Sequence, residues 1–399
     1  MNDIFKVPAK EINARIRKIQ ETIQAQDIDA LLVIQRVDLF YFTGSAQNGF
    51  LFVPAEGPPL FMVKRYMPRA REESPLAEIV EIRSVKEIPG LIQDYYGRLP
   101  ERIGFELDVI PVRDFNFYRS LFPRQEIVEA SPLILKLRSR KSAWEIEQME
   151  NTAELSRKTF EYMRHIIRPG QSEMEFAGLF EAYARKLGHG GKMRVRDYQT
   201  EGYPWHVLSG KSGSMVGLLD SPASGQGTSP AFPCGAGPKA LVPNEPIMVD
   251  LASVLNGYHM DETRMFAMGA MPDKALKASR AAIEIHQAVL EKTKPGLQTG
   301  EIFGFAHTLA EKLGYGDVYL GLPGYKVNFI AHGIGLELIE PPFIARGKQE
   351  ILEPGMTFAL EPKMVFPDEF CVGVESVFLV TETGSRLISK VPVEIFVCS

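Results

Sequence analysis

The chain has few cysteines and lacks the long apolar and basic runs that mark several protein classes. Its three cysteines, Cys234, Cys371 and Cys398, are scattered over 399 residues. They are too few and too far apart for a disulfide framework or a cysteine zinc site, and they fit a reducing cytoplasm. No stretch of about 18 apolar residues occurs, so we expect no membrane span.

Charge of one sign is not concentrated anywhere in the chain. The net charge is −5, with no basic run that would favour nucleic acid and no block of like charges. Residues 1–6 carry charges early, which is not typical of a secretory signal. A composition of 45% hydrophobic and 24% charged residues is ordinary for globular proteins, and the length predicts two domains.

Residues 1–135 show the pattern of an α/β domain. The amphipathic segment 11–26 precedes the apolar run 30–34, which is typical of a buried strand. Similar short apolar runs follow at 50–53, 60–63 and 103–105. The basic segment 136–141 is a domain junction or, alternatively, a solvated helix start. We predict domains at 1–135 and 143–399.

The second part of the chain contains an internal repeat. Residues 168–188 and 294–314 share eight identities at a constant offset of 126 positions. In each copy a helix precedes a Pro-Gly pair and a shorter helix follows. Two copies are too few for a solenoid, so we predict one domain with pseudo-twofold symmetry. The same offset relates His206 to His332.

Two acids are predicted to share one face of a hairpin. Asp250 follows the apolar run 247–249, and Asn256-Gly257 is a strong two-residue turn. That turn places Ala252 opposite Asp261, so that Asp250 and Asp261 are diagonal neighbours. A bound cation would relieve their repulsion; the alternative is a solvated strand face.

Two further acids and a histidine have a similar setting. Glu361 and Glu375 each follow an apolar triplet, and a three-residue turn at 367–369 would place them opposite each other. His332 lies among glycines; alone it would more commonly be a core residue. Four carboxylates and one imidazole can hold two divalent cations and activate water, which predicts a metallohydrolase.

These residues, with their neighbours, resemble the pita-bread metallopeptidases, a family that includes methionine aminopeptidase, aminopeptidase P, prolidase and the metal-free creatinase. The resemblance runs from about residue 143 to the end. Residues 41–44 resemble the creatinase-type N-terminal domain. Together, these resemblances imply an α/β (α+β) protein with a creatinase-like α/β domain followed by a pita-bread domain of duplicated αβ halves. The segments that carry it are Asn256-Gly-Tyr258, Asp261-Glu-Thr-Arg264, His332-Gly-Ile-Gly-Leu-Glu337, Glu340-Pro-Pro342, Leu352-Glu-Pro-Gly-Met356 and Glu361-Pro362.

The resemblance also implies roles. Asp261 and Glu375 would bridge two metal ions, Asp250 would bind one of them, and His332 with Glu361 would bind the other. The oxygen-rich set favours manganese, with cobalt, iron or zinc as alternatives. Family members are usually homodimers.

The chain departs from prolidase-like members at three places. Prolidase-like members carry a histidine seven residues after the metal histidine, where this chain has Ile339. They carry an arginine two residues before the last glutamate, where this chain has Gly373. They also carry a shuttle histidine, which is absent from 231–234 here. We predict His206 as a catalytic replacement, with His259 as a weaker candidate. Arg264 is a substrate-binding or bracing residue, and Arg346 is a weaker candidate for the substrate carboxylate.

We therefore predict a cytoplasmic dinuclear hydrolase of a C–N amide bond that resembles an Xaa-Pro aminopeptidase or dipeptidase. A hydroxide between the two ions would attack the carbonyl, and Glu361 would act as general base and then acid. The substrate would be a short peptide. The alternatives are a non-peptide amide or cyclic amidine as substrate, a metal-binding member without peptidase activity, and metal-free creatinase chemistry.

Overall fold

The computed structural model describes residues 5–196, 205–217 and 219–398. The chain divides into two compact units, Met1–Arg138 and Ser139–Ser399. Their boundary falls inside the basic segment 136–141. Within the described residues, no helix has both the length and the apolar character needed to cross a membrane.

The first unit contains a six-stranded mixed sheet in the order β4-β3-β2-β1-β5-β6. Helix α1 buries Ile12, Ile16, Ile19 and Ile23, the three-to-four spacing of an amphipathic helix. The predicted apolar runs form buried strands of the sheet. The elements are α1 Ala9–Gln24, β1 Ala30–Val33, α2 Arg36–Thr43, β2 Gly49–Pro54, β3 Leu60–Val63, α3 Met67–Glu73, β4 Ile79–Glu81, α4 Ile88–Tyr96, β5 Arg102–Phe105, α5 Val112–Leu121, β6 Glu126–Glu129 and α6 Ser131–Ser139, with a 3-10 turn at Val85–Glu87.

The second unit combines two helix pairs with two larger sheets and a two-stranded ribbon. The sheets have the orders β17-β9-β8-β7 and β11-β10-β12-β15-β16, and the ribbon is β13-β14. The elements are α7 Ala143–Ile166, α8 Glu173–Lys186, β7 Trp205–Ser209, β8 Ile247–Leu255, β9 Tyr258–Met268, α9 Asp273–Lys292, α10 Thr299–Lys312, β10 Phe329–Gly333, β11 Glu340–Ala345, β12 Thr357–Leu360, β13 Lys363–Phe366, β14 Phe370–Gly373, β15 Ser376–Val380, β16 Ser385–Leu387 and β17 Phe396–Cys398, with a 3-10 turn at Gly210–Ser214.

The predicted duplication is present in the helices. Helices α7 and α9 end 126 positions apart, and α8 and α10 begin and end with the same offset. Gly170 and Gly296 both adopt φ of 87° in the turns between the paired helices. Each half continues with one strand, β7 or β10, that pairs antiparallel with the first strand of a hairpin. His206 and His332 occupy these two equivalent strands.

Candidate metal centre

The β8–β9 hairpin presents Asp250 and Asp261. Asn256-Gly257 forms its two-residue turn, with φ of 54° and 89°, and Ala252 pairs with Asp261 as the sequence predicts. Asp250 lies two residues from Ala252 and therefore on the same face of the sheet as Asp261. Asp261 is only 7% exposed. The hairpin thus buries Asp261 and leaves the Asp250 side chain 15% exposed, so the pair does not lie on a freely solvated face.

Glu361 and Glu375 lie opposite each other in a second hairpin. Leu360 pairs with Ser376 on one side of them, and Lys363 pairs with Gly373 on the other side. This register places Glu361 across from Glu375. The connecting turn spans residues 367–369, as predicted. Both glutamates are buried, and Glu375 also accepts a hydrogen bond of 2.8 Å from the Thr263 hydroxyl.

His332 on β10 completes a set of ligands suited to one divalent ion. Its Nε2 lies 3.7 Å from Asp261 Oδ2 and 3.9 Å from Glu361 Oε1. One ligand atom each from Asp261, His332 and Glu375 lie within 4.8 Å of one another, and all three residues are buried. Carboxylate oxygens with one imidazole nitrogen are donors that manganese, iron, cobalt and zinc accept. The residues present therefore fit one ion.

Lys363 was not predicted, and it enters the other side of the same pocket. Its Nζ donates to Asp250 Oδ2 at 2.9 Å and to Glu361 Oε2 at 2.8 Å, and it lies 3.3 Å from Glu375 Oε2. Burial alone would lower the pKa of this ammonium, but the three carboxylates hold its pKa well above the usual value. Residues around Lys363 therefore do not fit a second divalent ion.

The pKa values of the acidic side chains depend on their burial and on the charged groups beside them. Burial raises the pKa of Asp261 well above its usual value, and Glu375 and Asp250 add to the effect. Burial also raises the pKa of Glu375, to about 8, although Lys363 opposes it. Burial would raise the pKa of Asp250, but the attraction of Lys363 outweighs burial, so that its pKa is lowered. Lys363 therefore favours the charged form of Asp250 more than that of Asp261.

His206 and His259 have different surroundings. His206 on β7 is the cross-strand partner of Asp250, and such partners point to the same face of a sheet. Burial lowers the pKa of His206, although Asp250 opposes the shift. The ring of His259 is held on both sides, with Nδ1 3.0 Å from the Gly335 carbonyl oxygen and Nε2 accepting the Arg194 N–H at 3.1 Å. Both its nitrogens are engaged in backbone contacts.

The structure corrects the substrate-binding assignment of Arg264. This side chain is fully buried, and it spends all its donors within the fold. An arginine has five N–H groups, so none remains for a substrate, and the bracing alternative applies. The acceptors are the carbonyl oxygens of Thr263, Glu375, Val391 and Pro392 and the hydroxyl of Ser376.

Arg346 remains a substrate-binding prediction without a described contact to the ligand set. It is exposed, directly after β11, with its guanidinium 5.6 Å from the ring centre of Phe303.

Comparison with known proteins identifies the family. The sequence profile of metallopeptidase family M24 matches residues 147–382, a stretch that contains the whole ligand set. The chain belongs to this family. The profile of the creatinase/prolidase N-terminal domain matches residues 15–140. Recognition of a pita-bread metallopeptidase with a creatinase-type first domain is thereby confirmed.

M24 relatives match along nearly the whole chain. An Xaa-Pro dipeptidase from Pyrococcus furiosus is 24% identical over 381 residues, covering 94% of this chain and 97% of that protein. An uncharacterized peptidase of Bacillus subtilis is 25% identical over 386 residues, covering 96% and 99%. The solved structure of an Xaa-Pro dipeptidase from Bacillus anthracis has a TM-score of 0.82 at 24% identity, covering 97% and 99%. The predicted fold is confirmed.

Proposed function

We propose that this M24 protein is a metal-dependent hydrolase of a C–N amide bond, and that its substrate is a short peptide with proline in second position. The observation that carries the proposal is the buried set of Asp261, His332 and Glu375, whose ligand atoms lie within 4.8 Å of one another. Relatives named Xaa-Pro dipeptidase, which match over almost their full length, support the substrate class.

Different side chains of the pocket would bind the ion and transfer the proton. Asp261, His332 and Glu375 would hold the ion, which supplies Lewis-acid polarisation of a carbonyl and a lowered pKa for a water molecule. Glu361 is the candidate proton carrier: its Oε2 is fixed by Lys363, while its Oε1 faces His332 at 3.9 Å. A carboxylate in that position can take a proton from water and deliver it to the leaving nitrogen. His206 is a second candidate beside Asp250.

A non-peptide amide or cyclic amidine is the second candidate substrate. The observation that favours it is Lys363 within the acidic pocket, together with Gly373 and Ile339 where prolidase-like members carry arginine and histidine. Ile339 is 40% exposed and offers no hydrogen-bonding group. A pocket altered in this way would hold a different leaving group or carbonyl. A metal-binding member without peptidase activity is the remaining alternative.

Hydrolysis assays with matched peptides test the proposal. Purified protein, treated with chelator and reloaded with Mn²⁺, is incubated with Xaa-Pro dipeptides, with Xaa-Ala dipeptides and with N-acyl amides and cyclic amidines. We expect Mn²⁺-dependent release of proline and at least tenfold slower cleavage of Xaa-Ala. Cleavage of a non-peptide amide alone would transfer the assignment to the second candidate. Absence of all turnover in metal-loaded protein would reject a hydrolase function.

Manganese as the physiological ion, a homodimer and a cytoplasmic location belong to the same proposal. The oxygen-rich ligand set supports manganese. The three cysteines are free and buried, which supports a reducing compartment. Metal analysis of protein purified without added metal and sedimentation of the full chain test the first two. A different bound metal, or a monomer at all concentrations, would correct them.

A further inference from the structure

Lys363 places an ammonium group where three carboxylates converge. An ammonium has three N–H donors, and three carboxylate oxygens lie 2.8 to 3.3 Å from Nζ. These oxygens come from three separate segments: β8, the residue after β12, and the residue before β15. The lysine side chain is only 2% exposed. Lysine side chains usually extend their charged end into solvent, whereas the ammonium of Lys363 is enclosed by the protein.

The position of Lys363 follows from the alternation of side chains along an extended chain. Lys363 follows Glu361 by two residues in an extended chain, so both side chains emerge on the same face. Gly373 is its cross-strand partner. A Cβ atom at Gly373 would lie 2.5 Å from Lys363 Cγ, so a side chain there and the observed lysine exclude each other. The glycine thus provides the space in which the lysine stem crosses to the acids.

A second divalent ion would compete for the same oxygens. Metals such as zinc and magnesium bind carboxylate oxygens at about 2.0–2.2 Å, and such an ion between Asp250, Glu361 and Glu375 would fall on the ammonium. Two cations cannot share that volume. Of the set Asp261, His332 and Glu375, Lys363 contacts only Glu375, at Oε2, and at 3.3 Å this is the longest of its three carboxylate contacts. One ligand atom each from the three residues still lie within 4.8 Å of one another, which leaves a place for one ion.

We propose that the ammonium of Lys363 takes the place of one of the two divalent ions that the ligand set would otherwise bind, so that this chain carries a single ion between Asp261, His332 and Glu375. The inference rests on the metal centre of the proposed function but not on its substrate. One divalent ion and one ammonium supply three positive charges to the four carboxylates of the pocket.

Counting bound ions tests this inference without any assay of activity. The full-length protein is stripped with chelator, equilibrated with excess Mn²⁺, and analysed by native mass spectrometry and elemental analysis. We expect one ion per wild-type chain and two per chain in Lys363→Met and Lys363→Gln. Lys141→Met is the matched control, because Lys141 pairs with Glu340 at 2.6 Å and both side chains are only 1% exposed. We expect this control to bind one ion.

Each outcome decides something. Two ions in the wild-type chain would overturn the inference, and so would a single ion in folded Lys363 variants. If both variants fail to fold, as judged by circular dichroism, the wild-type count alone decides. One ion per chain without cleavage of any Xaa-Pro peptide would refute the proposed substrate while this inference stands. A wild-type chain that binds no ion would overturn this inference and the metal centre together.

Discussion

Replacing Arg264 with lysine tests whether this residue braces the centre. Arg264 donates five hydrogen bonds, whereas a lysine has at most three donors. At least two of these bonds are lost. The cost stays near the net value of a hydrogen bond, because Pro392 is exposed and the Thr263 carbonyl also accepts from the Glu375 N–H. Two bonds at about 0.5–1.5 kcal/mol each give about 1–3 kcal/mol for the variant. That loss is a measurable part of the roughly 5–15 kcal/mol that stabilises a typical protein.

The chain offers a built-in reporter for this measurement. Both tryptophans, Trp144 and Trp205, lie in the second unit, which contains Arg264. Tryptophan fluorescence during urea unfolding therefore follows that unit alone. Arg386→Lys is the control, because Arg386 pairs with Glu150 at the surface, with 46% of its side chain exposed. Such pairs contribute about 0–1 kcal/mol.

Kinetics separate bracing from substrate binding. Arg264 holds the carbonyl oxygen of the ligand Glu375, and the loss of groups that support a metal ligand typically costs about 10–100-fold in metal affinity or activity. We expect Arg264→Lys to weaken metal binding and lower kcat while KM at saturating metal stays within about twofold. A variant as stable as the wild type with a KM raised more than tenfold would refute the bracing role.

Three further predictions concern other groups of the second unit. Asp261→Asn should abolish metal binding and turnover while circular dichroism stays unchanged, and full turnover would contradict the ligand set. His206→Asn should lower kcat more than KM, and unchanged kinetics would remove His206 from the chemistry. Burial lowers the pKa of His286 to about 3, whereas an unfolded histidine titrates near 6.5. The unfolded state therefore binds the extra proton, and stability falls as pH drops from about 6.5 toward 3, by about 2 kcal/mol at pH 5. His286→Phe should reduce the pH dependence of urea unfolding by about this amount, while other buried histidines such as His259 keep their share, and an unaltered pH profile would contradict it.

The hairpins could be predicted because their turns are local. Asn256-Gly257 and the turn at 367–369 fix the strand registers, and the registers bring Asp250 near Asp261 and Glu361 opposite Glu375. The duplication was visible because both copies keep Pro-Gly stops at one spacing. The convergence of the two hairpins with β10 depends on sheet packing, which pattern alone does not reveal.

Lys363 and Arg264 show where sequence reasoning stopped. The predicted register already implies that Lys363 lies opposite Gly373, on the face of both glutamates. Because lysines normally reach solvent, nothing in the pattern marked its inward course. Arg264 is bound by carbonyl oxygens of Val391 and Pro392, more than a hundred residues away along the chain. Contacts of such long range become visible only in three dimensions.

The charge of the pocket connects these observations to function. An ammonium group neutralises the charge of a carboxylate as a metal ion does. Unlike a metal ion, it accepts no lone pair and cannot act as a Lewis acid. A chelator cannot remove it, so the Asp250 side of the pocket should stay neutralised and folded when a divalent ion leaves. Carbonyl polarisation would then fall to the single ion held by Asp261, His332 and Glu375. Substrate choice would then depend on the groups beside that ion, whereas Gly373 belongs to the side that Lys363 occupies.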